Sequence, residues 1–330
     1  MVISQTPLRI SFFGGGTDLE DFWSKENGTT LSSSIDKFVY VIIKRRFDDA
    51  IYLNYSKKEI VKSVYDIQHD LIREAMLMAG VSSGVEITTL ADIPSEGSGL
   101  GSSSSITVGL LNALYAYNNE QVTAECLASE ACNIEIEILE KPIGKQDQYI
   151  AAYGGLREIT FISDGTASIE SLKISQSRKR MMGSNLLLFY TGLTRESSFI
   201  LSDQKNNMVK NHIILKEMKG QVSELRALLE SEEDFDHMGQ MLHQAWNLKR
   251  KLSKKITNSI IDNMYTQALE SGAMGGKICG AGGGGFLLLY VPRESQNQVR
   301  KTMQDYREFP FMLNDGGSKI IFNTGSDYWL

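Results

Sequence analysis

Residues 97–105, GSGLGSSSS, place three glycines and five serines directly ahead of an apolar run, ITVGLLNAL. The stretch lies between a strand-like segment and a helical one, not between two turn-rich segments, so it does not have the setting of a flexible linker. A tight glycine turn at a helix start leaves several backbone N–H groups converging on one point. The helix dipole adds about half an elementary charge there, and phosphate is the natural occupant. Glycine lets the backbone approach such a ligand closely. The serine hydroxyls can donate to phosphate oxygens or ligate a hard cation such as Mg²⁺. The plainer reading is a serine helix cap beside loose glycines.

A second glycine-rich stretch, KICGAGGGGFLLLY, spans 277–290. Gly280, Gly282 and Gly285 spell G-x-G-x-x-G, but they precede a strand-like run instead of following one and opening a helix, so the dinucleotide fingerprint fails. No Walker A sequence occurs: Lys277 follows Gly276, yet Ile278 stands where Ser or Thr is required. The HRD and DFG signatures of protein kinases are absent.

The elements that must hold these loops are partly legible. Leu8, Ile10 and Phe12 alternate with Arg9 and Ser11, which predicts a strand in TPLRISFFGG. Two further strands are expected at 37–47 and 50–56, a helix at 64–80 ending on Gly80, and a strand at 84–94. Helices follow at 106–117, at 123–139 as one piece, and at 147–153. A strand is expected at 156–162. The segment 175–184, SQSRKRMMGS, is polar, basic and aperiodic, and is taken as a domain boundary. Beyond it come a buried strand at 185–192, long helical patterns to 252 and from 256 to 271, and strands at 286–292 and 318–325. Strands and helices mix without regular alternation, so the fold class is α+β in two domains, 1–180 and 181–330.

The chain has 330 residues and a formal net charge of −6, a poor match to nucleic acid or to an anionic membrane. No run reaches the roughly 18 apolar residues that span a bilayer, and the first residues lack the pattern of a secretory leader. Cys126, Cys132 and Cys279 have no disulfide or zinc spacing, and the four histidines form no HxxxH. A cytoplasmic protein acting on a small molecule is expected. The oligomeric state is left open.

Three motifs in order, TPLRISFFGGGTD at 6–18, IPSEGSGLGSSSS at 93–105 and KICGAGGGGFLLLY at 277–290, resemble those of the GHMP small-molecule kinases. Supporting stretches are ACNIEIEILEKPIGKQDQYIAAYGG, YTGLTRESSFIL and AWNLKRKLS. The resemblance covers nearly the whole chain. It implies a first domain like domain 2 of ribosomal protein S5 and a ferredoxin-like second domain. It implies ATP and Mg²⁺ as cofactors and phosphorylation of the anomeric hydroxyl of a heptose 7-phosphate, toward nucleotide-activated heptose for surface glycans. A kinase for a free fucose- or galactose-like sugar, or a non-catalytic ATP and sugar sensor, are the alternatives.

By the same resemblance, Gly97, Gly99, Leu100, Gly101, Ser102, Ser103, Ser104 and Ser105 cradle the ATP phosphates. Ser103 ligates Mg²⁺, with Ser102 and Ser104 next in line. Glu135 supplies the carboxylate, with Glu130 and Glu137 as rivals. Asp147, after PIGKQ, is the base or orients the hydroxyl; it could equally cap a short helix. Arg9 holds Asp147 ionised or steadies the phosphoryl group, unless it faces outward from its strand. Gly15, Gly16, Thr17 and Asp18 bind sugar hydroxyls. Galactokinases carry Glu-His-Thr-Asp where this chain has Gly-Gly-Thr-Asp, which points away from galactose and toward a roomier site. Lys145 or Arg195 would meet the substrate's own phosphate. The loop Gly280–Gly285 would close over the site from the second domain, with Gly282 and Gly283 binding substrate.

Overall fold

The computed structural model describes residues 1–93, 97–194 and 197–325. Its first half is built on two long paired strands, β1 (Val2–Phe13) and β2 (Gly28–Arg45), with the short α1 (Glu20–Trp23) between them. β2 begins nine residues before the expected strand, because its first part, GTTLSSSID, carries serines that look like loop. There it pairs with β1, and Arg9 lies opposite Ser34, Ser11 opposite Ser32. The small serines fit a crowded interior: Ser32, Ser33 and Ser34 are all fully buried.

β3 (Ile51–Asn54), β4 (Lys58–Val61), α2 (Asp70–Met78) and β5 (Val85–Ala91) follow. Next come α3 (Ser102–Tyr117), α4 (Ala124–Cys132), α5 (Gln146–Tyr153), β6 (Leu156–Phe161) and β7 (Ala167–Ser171). The long β2 serves two neighbours on one edge. Its residues 28–33 pair with β6, and 39–45 with β5. The sheet order is β11-β1-β2-β5-β3-β4, with β6 and β7 branching from β2, and β11 (Lys319–Asn323) is the chain's last strand. The end of the chain thus returns to the first sheet, where Ser318 meets Thr6 at 2.8 Å and Asn112 at 2.9 Å.

The polar stretch at 175–184 is not aperiodic coil. It forms α6 (Gln176–Ser184), capped by the Ser175 hydroxyl and bound through Lys179 to Asp315. A second sheet follows, made of β8 (Leu186–Tyr190), β9 (Gly275–Ile278) and β10 (Phe286–Tyr290) in the antiparallel order β8-β10-β9. Between β8 and β9 run α7 (Ser197–Asn206), α8 (Met208–Glu230), α9 (Asp236–Leu252) and α10 (Ser259–Glu270); α11 (Gln296–Thr302) comes after β10. A single bridge from Phe189 to Glu308 occupies the place of a fourth strand. That order is the ferredoxin-like one with its last strand reduced to one residue pair.

Helices cover β1 on both faces. α3 and α5 pack on it from the first domain, α8 and α9 from the second. This overturns the outward alternative for Arg9. In a strand covered on both sides the polar alternates are interior too, and Arg9 is 3% and Ser11 5% exposed.

Candidate active site

The Arg9 guanidinium grips Asp147 with two hydrogen bonds. Nε donates to Oδ1 at 2.7 Å and Nη2 to Oδ2 at 2.6 Å, while Nη1 donates to the carbonyl of Gly99 at 2.6 Å. The fork geometry is what selects arginine here over lysine. The Arg9 side chain is 3% exposed and that of Asp147 22%, so the carboxylate is partly open to solvent while the guanidinium behind it is buried. Burial works against the Arg9 charge, but the facing Asp147 outweighs it and holds the group above its ordinary pKa. The backbone N–H of Arg9 also donates to Leu100 O at 3.0 Å. One residue therefore ties the Asp147 carboxylate to the glycine loop.

That loop ends on Gly101, left-handed at φ +76°, and α3 starts at Ser102, four residues earlier than the apolar pattern suggested. The serines are its first turn. Ser105 N–H already bonds Gly101 O at 3.0 Å, which leaves the preceding amides at the open helix end. A side chain on Gly101 would begin 3.4 Å from Asp147 Oδ2, so the helix end and the carboxylate adjoin. Glycine is also forced where the two glycine-rich loops touch. A Cβ on Gly99 would lie 2.4 Å from Cys279 O, and one on Gly280 would lie 2.6 Å from the Gly99 Cα.

The serines divide by role. Ser103 faces outward and donates to Glu135 Oε2 at 3.1 Å. The Ser98 hydroxyl is buried; it accepts from Leu100 N at 3.3 Å and lies 3.5 Å from Ser102 Oγ. Ser104 is buried beside Glu135. The Ser105 hydroxyl donates to Pro7 O at 2.8 Å, and its N–H is taken, so Ser105 anchors α3 to β1 rather than reaching a phosphate.

A change of winding sets Glu135 apart from Glu130 and Glu137. The helix expected at 123–139 is α-helical only to Cys132, then continues as a π-helical segment, Asn133–Ile138. The wider turn shifts the inward face and buries Glu135 completely, while Glu137 stays exposed and Glu130 bonds Tyr115 at 2.7 Å. Gln148 Nε2 donates to the other Glu135 oxygen at 3.2 Å. Burial raises the Glu135 pKa, opposed by Lys141 and by hydrogen bonds from Ser104, Gln148 and Ser103. A buried carboxylate beside an outward hydroxyl at the start of α3 is a hard-oxygen donor pair that suits Mg²⁺, which takes one or two protein ligands and completes its shell with phosphates and water.

On the acceptor side, Asp18 accepts from Gly16 N at 2.8 Å and from Gln146 N at 3.5 Å, and Lys145 N donates to its carbonyl at 3.3 Å. It thereby sets the loop that presents Asp147. Burial pushes the Asp18 carboxyl up, the Gly16 N–H pulls it down, and the like charge of Asp147 pushes it up again. Gly15 lies open beside Ser11 and Gln146. Gly16 is half-buried against Leu215 of α8. Thr17 is fully buried, its hydroxyl donating to Gly14 O and Thr29 O at 2.8 and 2.9 Å, so it closes the turn instead of meeting a sugar.

Two further expectations change. The Lys145 ammonium donates to Gly165 O at 2.9 Å and lies 4.3 Å over the Trp23 ring, already engaged. Gly283 is buried with its N–H on Ile256 O at 2.7 Å, which leaves the half-buried Gly282 as the accessible member of that pair. Arg195 lies outside the described residues. Sequence reasoning also missed two buried cations. Lys277 donates to Ser11 O and Phe12 O, both at 2.9 Å, and burial pushes its pKa well down. Lys249 of α9 donates to Gly280 O. Both stood in motif stretches, but a lysine in an amphipathic helix ordinarily signals a solvated face.

A two-lobed α+β fold, a serine-rich helix end and an Arg–Asp pair at its mouth define a class: phosphotransferases that pass a phosphoryl group to an alcohol. Residues 54–155 match the family model for the GHMP kinases N terminal domain, and 224–307 match the GHMP kinases C terminal model. The chain belongs to the GHMP kinases. It is 29% identical to a D-glycero-alpha-D-manno-heptose 7-phosphate kinase of Campylobacter jejuni, over 93% of this chain and 96% of that one. It is 25% identical to a bifunctional fucokinase/GDP-fucose pyrophosphorylase of Arabidopsis thaliana, covering 92% of this chain and 31% of that one. A crystal structure described as a D-glycero-D-manno-heptose 1-phosphate kinase from Bacteroides thetaiotaomicron superposes with a TM-score of 0.82 at 23% identity, over 98% and 100% of the two chains.

Proposed function

We propose that the protein uses ATP to phosphorylate the anomeric hydroxyl of D-glycero-D-manno-heptose 7-phosphate, giving the 1,7-bisphosphate, a step toward nucleotide-activated heptose for surface glycans. The observation that carries the chemistry is the Arg9–Asp147 fork at the open end of α3. The anomeric oxygen bonds to the γ-phosphorus, the bond from that phosphorus to the β,γ-bridging oxygen breaks, and ADP leaves. Asp147 orients the hydroxyl and accepts its proton; an anomeric hydroxyl is acidic enough for a carboxylate to suffice. The amides and hydroxyls of 97–104 hold the triphosphate, and Arg9 fixes the carboxylate. Ser103 and Glu135 would hold Mg²⁺, which would neutralise phosphate charge when bound.

The heptose reading is supported by the Campylobacter relative, matched along nearly its full length. The name of the Bacteroides structure puts the substrate's existing phosphate at C1 instead. Such a substrate has no free anomeric hydroxyl, so the two names demand different acceptors. ADP release measured with heptose 7-phosphate, heptose 1-phosphate, free heptose, fucose and galactose decides between them. Turnover that is fastest with the 7-phosphate supports the reading. Faster turnover with a free sugar establishes the fucose- or galactose-like alternative, and no turnover with any acceptor leaves a sensor.

A further inference from the structure

Lys249 is an anomaly in the site as described. Its side chain is 7% exposed, yet among the described residues no carboxylate lies within ion-pair distance of its ammonium. An ammonium has three donors, and one is used, on the carbonyl of Gly280. A buried cation without its own counter-ion is costly unless an anion arrives to meet it. The lysine is not remote from the chemistry. Gly280 packs directly on Gly99, whose carbonyl accepts from Arg9. The groups that bear on its charge are Cys279, Arg9, Asp18 and Asp147, and Lys277 lies beside it.

Resting on the kinase reading above, we propose that Lys249 is a binding residue for the terminal phosphoryl group of ATP, delivered from the second domain opposite the end of α3. The two unused N–H donors meet the phosphoryl oxygens, and Gly280 O fixes the ammonium in place. α9 and the 280–285 loop thus contribute charge to the site as well as a cover. The cation complements Arg9, whose Nε, Nη1 and Nη2 already donate to Asp147 and Gly99. Burial pushes the Lys249 ammonium down to about 8, and an arriving dianion favours its charged form.

The test compares ADP with a β,γ-imido ATP analogue by calorimetry at pH 7 with Mg²⁺, for wild type, Lys249→Met and Lys249→Arg. Lys249→Met is expected to lose roughly tenfold or more in affinity for the analogue, with ADP affinity changed less than about twofold. Lys249→Arg is expected to keep most of the preference for the analogue. If Lys249→Met does not fold, the wild-type preference itself is followed from pH 7 to pH 9.5. It falls as the ammonium deprotonates, and Lys249→Arg holds it level. A folded Lys249→Met with undiminished preference, or a wild-type preference flat with pH, overturns the proposal. So does a variant that binds the analogue normally but loses only the phosphorylated sugar, because the ammonium then serves the acceptor. A wild type that binds neither nucleotide contradicts the kinase reading instead.

Discussion

Arg9 and Asp147 are 138 positions apart in the chain, yet two parallel hydrogen bonds of 2.7 and 2.6 Å join them, and the third arm of the guanidinium holds Gly99 of the glycine loop. One side chain thus fixes the distance between the proposed base and the helix end proposed to receive the nucleotide. Proximity of that kind is the main contribution a kinase makes to phosphoryl transfer.

Asp147→Asn keeps the shape of the carboxylate and removes its charge. Turnover is expected to fall by about 10²–10⁴-fold, while ATP binding measured by calorimetry stays within a few-fold of wild type. Turnover close to wild type would remove Asp147 from the proton-transfer role.

Ser103→Ala and Glu135→Gln both reduce the pair proposed to hold Mg²⁺. Each is expected to raise the Mg²⁺ concentration needed for half-maximal nucleotide binding, the glutamate change more strongly because it removes the charged member of the pair. A Mg²⁺ titration unchanged in both variants assigns the pair a structural part only.

Gly99→Ala separates backbone strain from steric conflict. Gly99 has φ +75° and Gly80 φ +69°, but a Cβ on Gly80 meets nothing within 4 Å while one on Gly99 meets Cys279 O at 2.4 Å. Gly80→Ala is expected to lower stability by about 1 kcal/mol. Gly99→Ala is expected to cost more than about 2 kcal/mol and to weaken nucleotide binding as well. Urea denaturation of both, with nucleotide titration of the folded protein, checks the difference.

The candidate site was more legible in the sequence than the elements around it. Asp147, Arg9 and the serine loop follow from ordered motifs, and the structure brings all three together. The first part of β2 was hidden because buried serines mimic a loop, and the helical nature of 175–184 because its stability comes from a serine cap and a lysine–aspartate tie rather than from an apolar stripe. The inward turn of Glu135 depends on a π-helical segment that leaves no mark on a 3.6-residue period. Thr17, Ser105 and Gly283 sit inside genuine motifs, yet their polar groups are engaged by backbone; only a tertiary structure shows that.

Asp18 gives the pH dependence a definite sign. Its folded-state pKa is raised above the usual 3.8, chiefly by burial, so its contribution to stability is full below that value and is lost as pH rises through the folded one. Asp18→Asn, which cannot ionise, is therefore expected to compare worse with wild type at pH 3.5 than at pH 7 in urea denaturation. An equal difference at both pH values would show that the carboxyl is not shifted.

The most direct measurement is a crystal structure with a β,γ-imido ATP analogue and heptose 7-phosphate. The terminal phosphate is expected against the amides of 101–104, with the anomeric oxygen within about 2.6–3.2 Å of the Asp147 carboxylate. A nucleotide bound away from the start of α3, or a sugar whose anomeric oxygen lies beyond the reach of Asp147, would contradict the account.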